Sequence, residues 1–106
     1  MTLQGAGKTI AILMLLINSA QHKPGSSITI AQSELSKAKR TVIRDFLNIM
    51  KDLGFYEGVK WNKSENIYKF DNDSYIEFIG LDQTDIGKGL RRTIIYINEA
   101  NRPGIK

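Results

Sequence analysis

The sequence predicts an α/β fold built on a layered, mostly parallel sheet, and three observations carry that prediction. A glycine-rich hexapeptide, Gln4-Gly5-Ala6-Gly7-Lys8-Thr9, stands directly before a continuous apolar run of eight residues, 10–17, that reads as a buried helix. Two short β-branched runs, 28–31 and 93–97, have the composition of strands buried on both faces. Between them the hydrophobic period changes from helical to strand-like, so the order is loop, helix, strand, helix, hairpin, strand.

Taken in order, residues 9 to about 20 form a helix that is apolar on nearly every face, as buried helices are. Pro24-Gly25-Ser26-Ser27 marks a loop before the strand at 28–31. A single helix is expected over 36–53, where Val42, Ile43, Phe46, Leu47, Met50 and Leu53 recur at spacings of three and four. Gly54 then stands where a C-terminal cap belongs. Residues 55–65 show no period and read as a connector. Residues 67–70 and 74–79, joined by Asp71-Asn72-Asp73, read as a β-hairpin whose packing is supplied by Tyr68, Phe70, Tyr75 and Phe78. A polar, glycine-containing stretch, 81–92, leads into the strand at 93–97, which ends abruptly in Asn98-Glu99.

Composition bounds the function. With 106 residues the chain is at most one small domain, 42% hydrophobic and 25% charged, without low-complexity runs or repeats. Cysteine is absent, which excludes disulfides and thiolate metal sites, and the single histidine, His22, reads as a solvated loop residue. The net charge of +4 suits a polyanion partner without identifying one. The apolar run at 10–17 falls short of the roughly 20 residues of a membrane span, and its only preceding charge, Lys8, belongs to the glycine motif rather than to a signal peptide.

The hexapeptide carries the clearest chemistry. Glycines let backbone amides approach a triphosphate where side chains would block it, and a helix N-terminus adds partial positive charge. Gln4, Gly5, Ala6, Gly7, Lys8 and Thr9 are therefore the candidate nucleotide-binding residues, with Lys8 on the β and γ phosphates and the Thr9 hydroxyl on Mg²⁺. The full pattern asks for glycine at position 2, where this chain has threonine. The competing reading is a glycine-rich turn that only caps a buried helix.

Ninety-one residues beyond Lys8, Glu99 follows a strand and is the candidate that orients the attacking water. Asn98 occupies the position where an aspartate usually holds the hydrated metal, so it is the candidate metal-side group without a charge. Arg91 and Arg92 are candidates for an arginine set against the γ-phosphate, their plainer role being a solvated basic loop. Lys37, Lys39 and Arg40 are expected near a helix N-terminus, where each charge would cost about a few tenths of a kcal/mol.

With these residues in place, the chain resembles the ATPase domain of the large terminase subunit of tailed bacteriophages. The likeness rests on the Gly5-Ala6-Gly7-Lys8-Thr9 loop, the strand at 28–31 and the helix containing Val42-Ile43-Arg44-Asp45-Phe46-Leu47. It continues through residues 74–82, Lys88-Gly89-Leu90-Arg91-Arg92, and 94–101, which hold Asn98 and Glu99. What the resemblance implies is a partial P-loop NTPase domain over 1–106, a three-layer α/β sandwich with a mostly parallel sheet and a β-hairpin, lacking the strand before the P-loop. It further implies ATP and Mg²⁺ as cofactors, ATP-driven translocation of double-stranded DNA, portal and small terminase subunits as partners, a homo-oligomer, no membrane, and the cytoplasm of a bacterial host. The family's nuclease domain and the first strand have no counterpart here, so a truncated or split gene product is expected. The rival readings are another P-loop ATPase, such as a helicase or nucleotide kinase, and an inactive remnant that binds anions or DNA without turnover.

Overall fold

The computed structural model describes residues 5–82 and 93–97. Their elements run α1 (Gly5–His22), β1 (Ser27–Gln32), α2 (Leu35–Arg40), α3 (Val42–Asp52), a 3-10 turn (Gly58–Lys60), β2 (Trp61–Asn62), β3 (Ile67–Lys69), β4 (Tyr75–Gly80) and β5 (Thr93–Tyr96). The strands form one mixed sheet in the order β2-β3-β4-β1-β5. β1 is parallel to both β4 and β5, whereas β2-β3-β4 is an antiparallel meander. The coarse α/β expectation holds.

Strand alternation explains which face is covered. Ile28 and Ile30 of β1, Ile76 and Phe78 of β4 and Tyr68 of β3 all point to one side. They join Leu13, Ile17 and Ala20 of α1, Ala38 of α2 and Val42, Ile43, Phe46, Ile49 and Met50 of α3 in one buried cluster. Phe46 sits at its centre, with ring centroids 5.1 Å from Phe78, 5.9 Å from Tyr68 and 6.4 Å from Trp61. On the opposite face Thr29 is fully buried and satisfied, its hydroxyl donating to Glu77 Oε2 at 2.6 Å. The helices of the described residues pack on the face that carries Ile28, Ile30, Ile76 and Phe78.

That arrangement corrects the reading of α1. It is apolar all round in sequence, but only the stripe Leu13, Ile17 and Ala20 is fully buried, while Ile10, Met14 and Leu15 are exposed, Leu15 at 69%. A helix that packs by one stripe against its neighbours has one face to bury. β5 is corrected in the same way. It was expected as a buried strand over 93–97; it spans Thr93–Tyr96 at the end of the strand order, with Thr93, Ile94 and Tyr96 exposed and Ile97 buried just beyond it.

The single helix expected over 36–53 is two. Thr41 breaks it at φ −124° and ψ −85°, its hydroxyl donating to the Lys37 carbonyl at 2.8 Å and lying 3.3 Å from Gln32 Oε1. A threonine hydroxyl bonded to the carbonyl four residues back competes with helical geometry and bends the chain. The break also changes which helix end the basic residues meet. Lys37, Lys39 and Arg40 stand in the last turn of the six-residue α2, where cations suit its dipole, while Lys39 and Arg40 also directly precede Thr41, the N-cap of α3.

Other local readings hold. Gly54 adopts φ +80° after α3, and the amides of Gly54 and Phe55 donate to the carbonyls of Lys51 and Met50, a complete Schellman cap. The hairpin of β3 and β4 turns at residues 70–74 with Asp73 at φ +70°. Asn72 ties that turn to α1: its side-chain amide donates to the Ala20 and Gln21 carbonyls at 2.9 and 3.1 Å, satisfying acceptors that the helix end leaves open. His22 is exposed as expected, although it ends α1 instead of lying in a loop. The short strand β2 had no signal in the connector; Trp61 and Asn62 pair with Tyr68 and Ile67. No helix of the described residues is long and apolar enough to cross a membrane.

Candidate functional site

The three parallel strands fix where α1 begins. The last turn of α1 is tied to the starts of β1 and β4, through Asn72 and through Ser74, whose hydroxyl accepts from Ser26 N and donates to the Lys23 carbonyl at 3.0 Å each. A helix packed along β1 from that end runs back toward the carboxyl ends of the parallel strands. Ligands of open α/β sheets collect at that edge.

Gly5, Ala6, Gly7, Lys8 and Thr9 all lie within the first turns of α1. This differs from the expected loop, since the helix begins at Gly5, four residues before its expected start at Thr9. Nothing in the hexapeptide lacks an amide donor, and each residue added to an existing helix gains a hydrogen bond. The first four amides of α1 have no carbonyl partner within the helix. Lys8 is exposed and Thr9 half-buried. Lys8 and Thr9 directly follow Gly7 in the first turns of α1. Among the described residues no group of three or more His, Cys, Asp or Glu could hold a metal by itself. Gln4, Arg91, Arg92, Asn98 and Glu99 lie outside the described residues.

The strand ends beside this helix start are closed by contacts that the motif reading missed. Gln32, the last residue of β1, is buried, and its carbonyl accepts from Leu81 N at 2.8 Å. Asp82 Oδ1 accepts from Leu35 N at 3.1 Å, and Asp82 N donates to the Ser33 carbonyl at 3.1 Å. Together these clasp the turn after β4 to the start of α2. Gly80 makes the clasp possible, because a Cβ there would collide with the Leu35 backbone and approach Asp82 Oδ1 to 2.6 Å. On β5, the Ile97 amide donates to the Ala31 carbonyl at 2.8 Å, so β5 stays beside β1 up to the residue before Asn98.

A second polar cluster lies at the other end of the sheet. Lys60 Nζ bonds Glu57 Oε2 at 2.8 Å and Asp71 Oδ2 at 2.9 Å, and these hydrogen bonds hold its ammonium well above the usual lysine range. The Tyr68 hydroxyl accepts from Glu57 N at 2.9 Å and donates to the Phe55 carbonyl at 3.2 Å; burial pushes its phenol upward. Every member has a partner, and the cluster pins the 55–60 segment to the hairpin.

No family model, curated protein or solved structure matches the chain.

Proposed function

We propose that this chain carries the nucleotide-binding part of an ATP-hydrolysing motor domain, of the kind found in the large terminase subunit that packages phage DNA. The observation that carries the reading is Lys8 and Thr9 in the first turns of a helix that begins at the carboxyl edge of a parallel sheet. Backbone amides of Gly5 to Lys8 would receive phosphate oxygens, Lys8 would neutralise the β and γ phosphates, and Thr9 would ligate Mg²⁺. Bound Mg·ATP supplies the scissile γ-phosphate. Glu99 would orient the attacking water, Asn98 would accept from a metal-bound water, and Arg91 or Arg92 would meet the γ-phosphate. Double-stranded DNA is the substrate track, and portal and small terminase subunits are the partners, on the resemblance alone. The place of action on this reading is the bacterial cytoplasm.

A second reading has one observation in its favour. Gly5–Gly7 are helical rather than wrapped as a loop, which suits an anion held at a helix start without turnover. The two separate by experiment. Mg-dependent ATP hydrolysis by the full chain should fall by about 100-fold or more in Lys8→Ala and in Glu99→Gln, the scale expected for losing one preorganised charge-stabilising or positioning group. Three proteins all indistinguishable from buffer would exclude turnover and leave the anion-binding reading; hydrolysis by Lys8→Ala equal to wild type would reject the loop assignment.

A further inference from the structure

Positive charge is not spread evenly over the chain. Residues 37–44 hold Lys37, Lys39, Arg40 and Arg44 with no acid between them, whereas the other described residues hold six basic and nine acidic side chains. The four cations stand at one bend of the backbone, three on α2 and one in the first turn of α3, on either side of Thr41. All four are exposed, because the contacts that seat this bend on the core are made by Ala38, Val42, Ile43 and Phe46. Among the described residues no ion pair or side-chain hydrogen bond engages Lys37, Lys39 or Arg40. Arg44 meets Asp45 at 3.3 Å, with its side chain still 61% exposed. Thr41 spends its hydroxyl on the Lys37 carbonyl and leaves α3 without a side-chain cap, so the dipole of α3 adds to the same sign. The residues outside the described set are too poor in acid to cancel this charge, since they bring Asp85 and Glu99 against five bases.

We propose that the bend between α2 and α3 docks the phosphate backbone of duplex nucleic acid, without regard to sequence. Its surroundings select that partner among polyanions. None of the exposed large apolar side chains lies between residues 34 and 52, so the patch has nothing to insert into a lipid surface and no apolar anchor for an acidic protein. Its one aromatic, Phe46, is fully buried, which leaves no platform for stacking an unpaired base. A surface that reaches only phosphates favours the highest charge density, and a duplex carries about one charge per 1.7 Å of axis against about one per 3.4 Å along a single strand. The patch belongs to α2 and α3, apart from Lys8 and Thr9 of α1, and rests on charge and exposure. Its failure would therefore leave the nucleotide reading untouched.

The test is the anisotropy of a fluorescein-labelled DNA duplex titrated with the full chain at 50 and 200 mM NaCl. Four phosphate contacts predict a salt slope of about −3.6, a fall in affinity of roughly 100-fold between the two conditions. Lys39→Gln/Arg40→Gln should halve the slope and leave a fall of roughly 10-fold. Lys63→Gln/Lys69→Gln removes the same charge from exposed positions beside the β2-β3 pair and should keep the full slope. Lys37→Gln alone should lower the slope by about 1, and unchanged circular dichroism checks that each variant is folded. Two duplexes of unrelated sequence should bind equally, and a single strand of the same length more weakly. No saturable binding at 50 mM NaCl, equal loss of slope in both double variants, a single strand held as tightly as the duplex, or preference for polyglutamate or phosphatidylserine vesicles would each overturn the assignment.

Discussion

Replacing Phe46 by alanine is expected to destabilise the chain by about 3–5 kcal/mol, the range for deleting a large buried aromatic. Phe46 is fully buried and is the one ring in contact with Trp61, Tyr68 and Phe78, so it joins α3 to three strands at once. Collapse around the gap is hindered because the neighbours are held elsewhere: Tyr68 by its hydroxyl bonds to Glu57 and Phe55, and Phe78 by the strand pairing of β4 with β1. Natural domains are stable by only about 5–15 kcal/mol, so this single change removes a large share. Urea denaturation of Phe46→Ala beside wild type measures it. A midpoint shift equivalent to under about 0.5 kcal/mol, the usual surface range, would remove Phe46 from the centre of the core.

Gly80→Ala is the second large effect, expected near the upper end of the roughly 1–3 kcal/mol typical of overpacking. The added methyl would meet backbone rather than the tip of a flexible side chain: the amide nitrogen of Leu35, its Cα at 2.7 Å, and Asp82 Oδ1 at 2.6 Å. Relief requires α2 to move away from the ends of β1 and β4, which breaks the bond from Leu35 N to Asp82. Leu81→Ala, at a neighbouring exposed position, should fall within about 0.5 kcal/mol of wild type. Thermal melts of both variants give the comparison. Equal melting temperatures for Gly80→Ala and wild type would contradict the tight approach.

What could be read from the residues was local. The Gly54 cap, the face of α3 and the hairpin around Asp71-Asn72-Asp73 follow from spacing and turn chemistry within a few residues, and all three are present. The break at Thr41 was not legible, because its hydroxyl draws on Gln32 as well as on Lys37, and only the fold brings Gln32 there. β2 is two residues long and exists through its pairing with Tyr68 and Ile67, so no period within it could announce it. The exposure of β5 depends on its place in the strand order rather than on its composition, which is why a β-branched run looked buried. At the candidate site Lys8 and Thr9 are named by the hexapeptide alone, whereas the Asp82 clasp to Leu35 joins residues 47 apart and leaves no local trace.

The central claim is that a nucleotide's phosphates seat on the first turn of α1. Titration of the isotopically labelled full chain with Mg·ATP, read through backbone amide shifts, tests it most directly. The largest, saturable perturbations are expected at the amides of Gly5, Ala6, Gly7, Lys8 and Thr9, with their loss in Lys8→Ala. Perturbations confined to other segments, or identical in the Lys8→Ala chain, would contradict it.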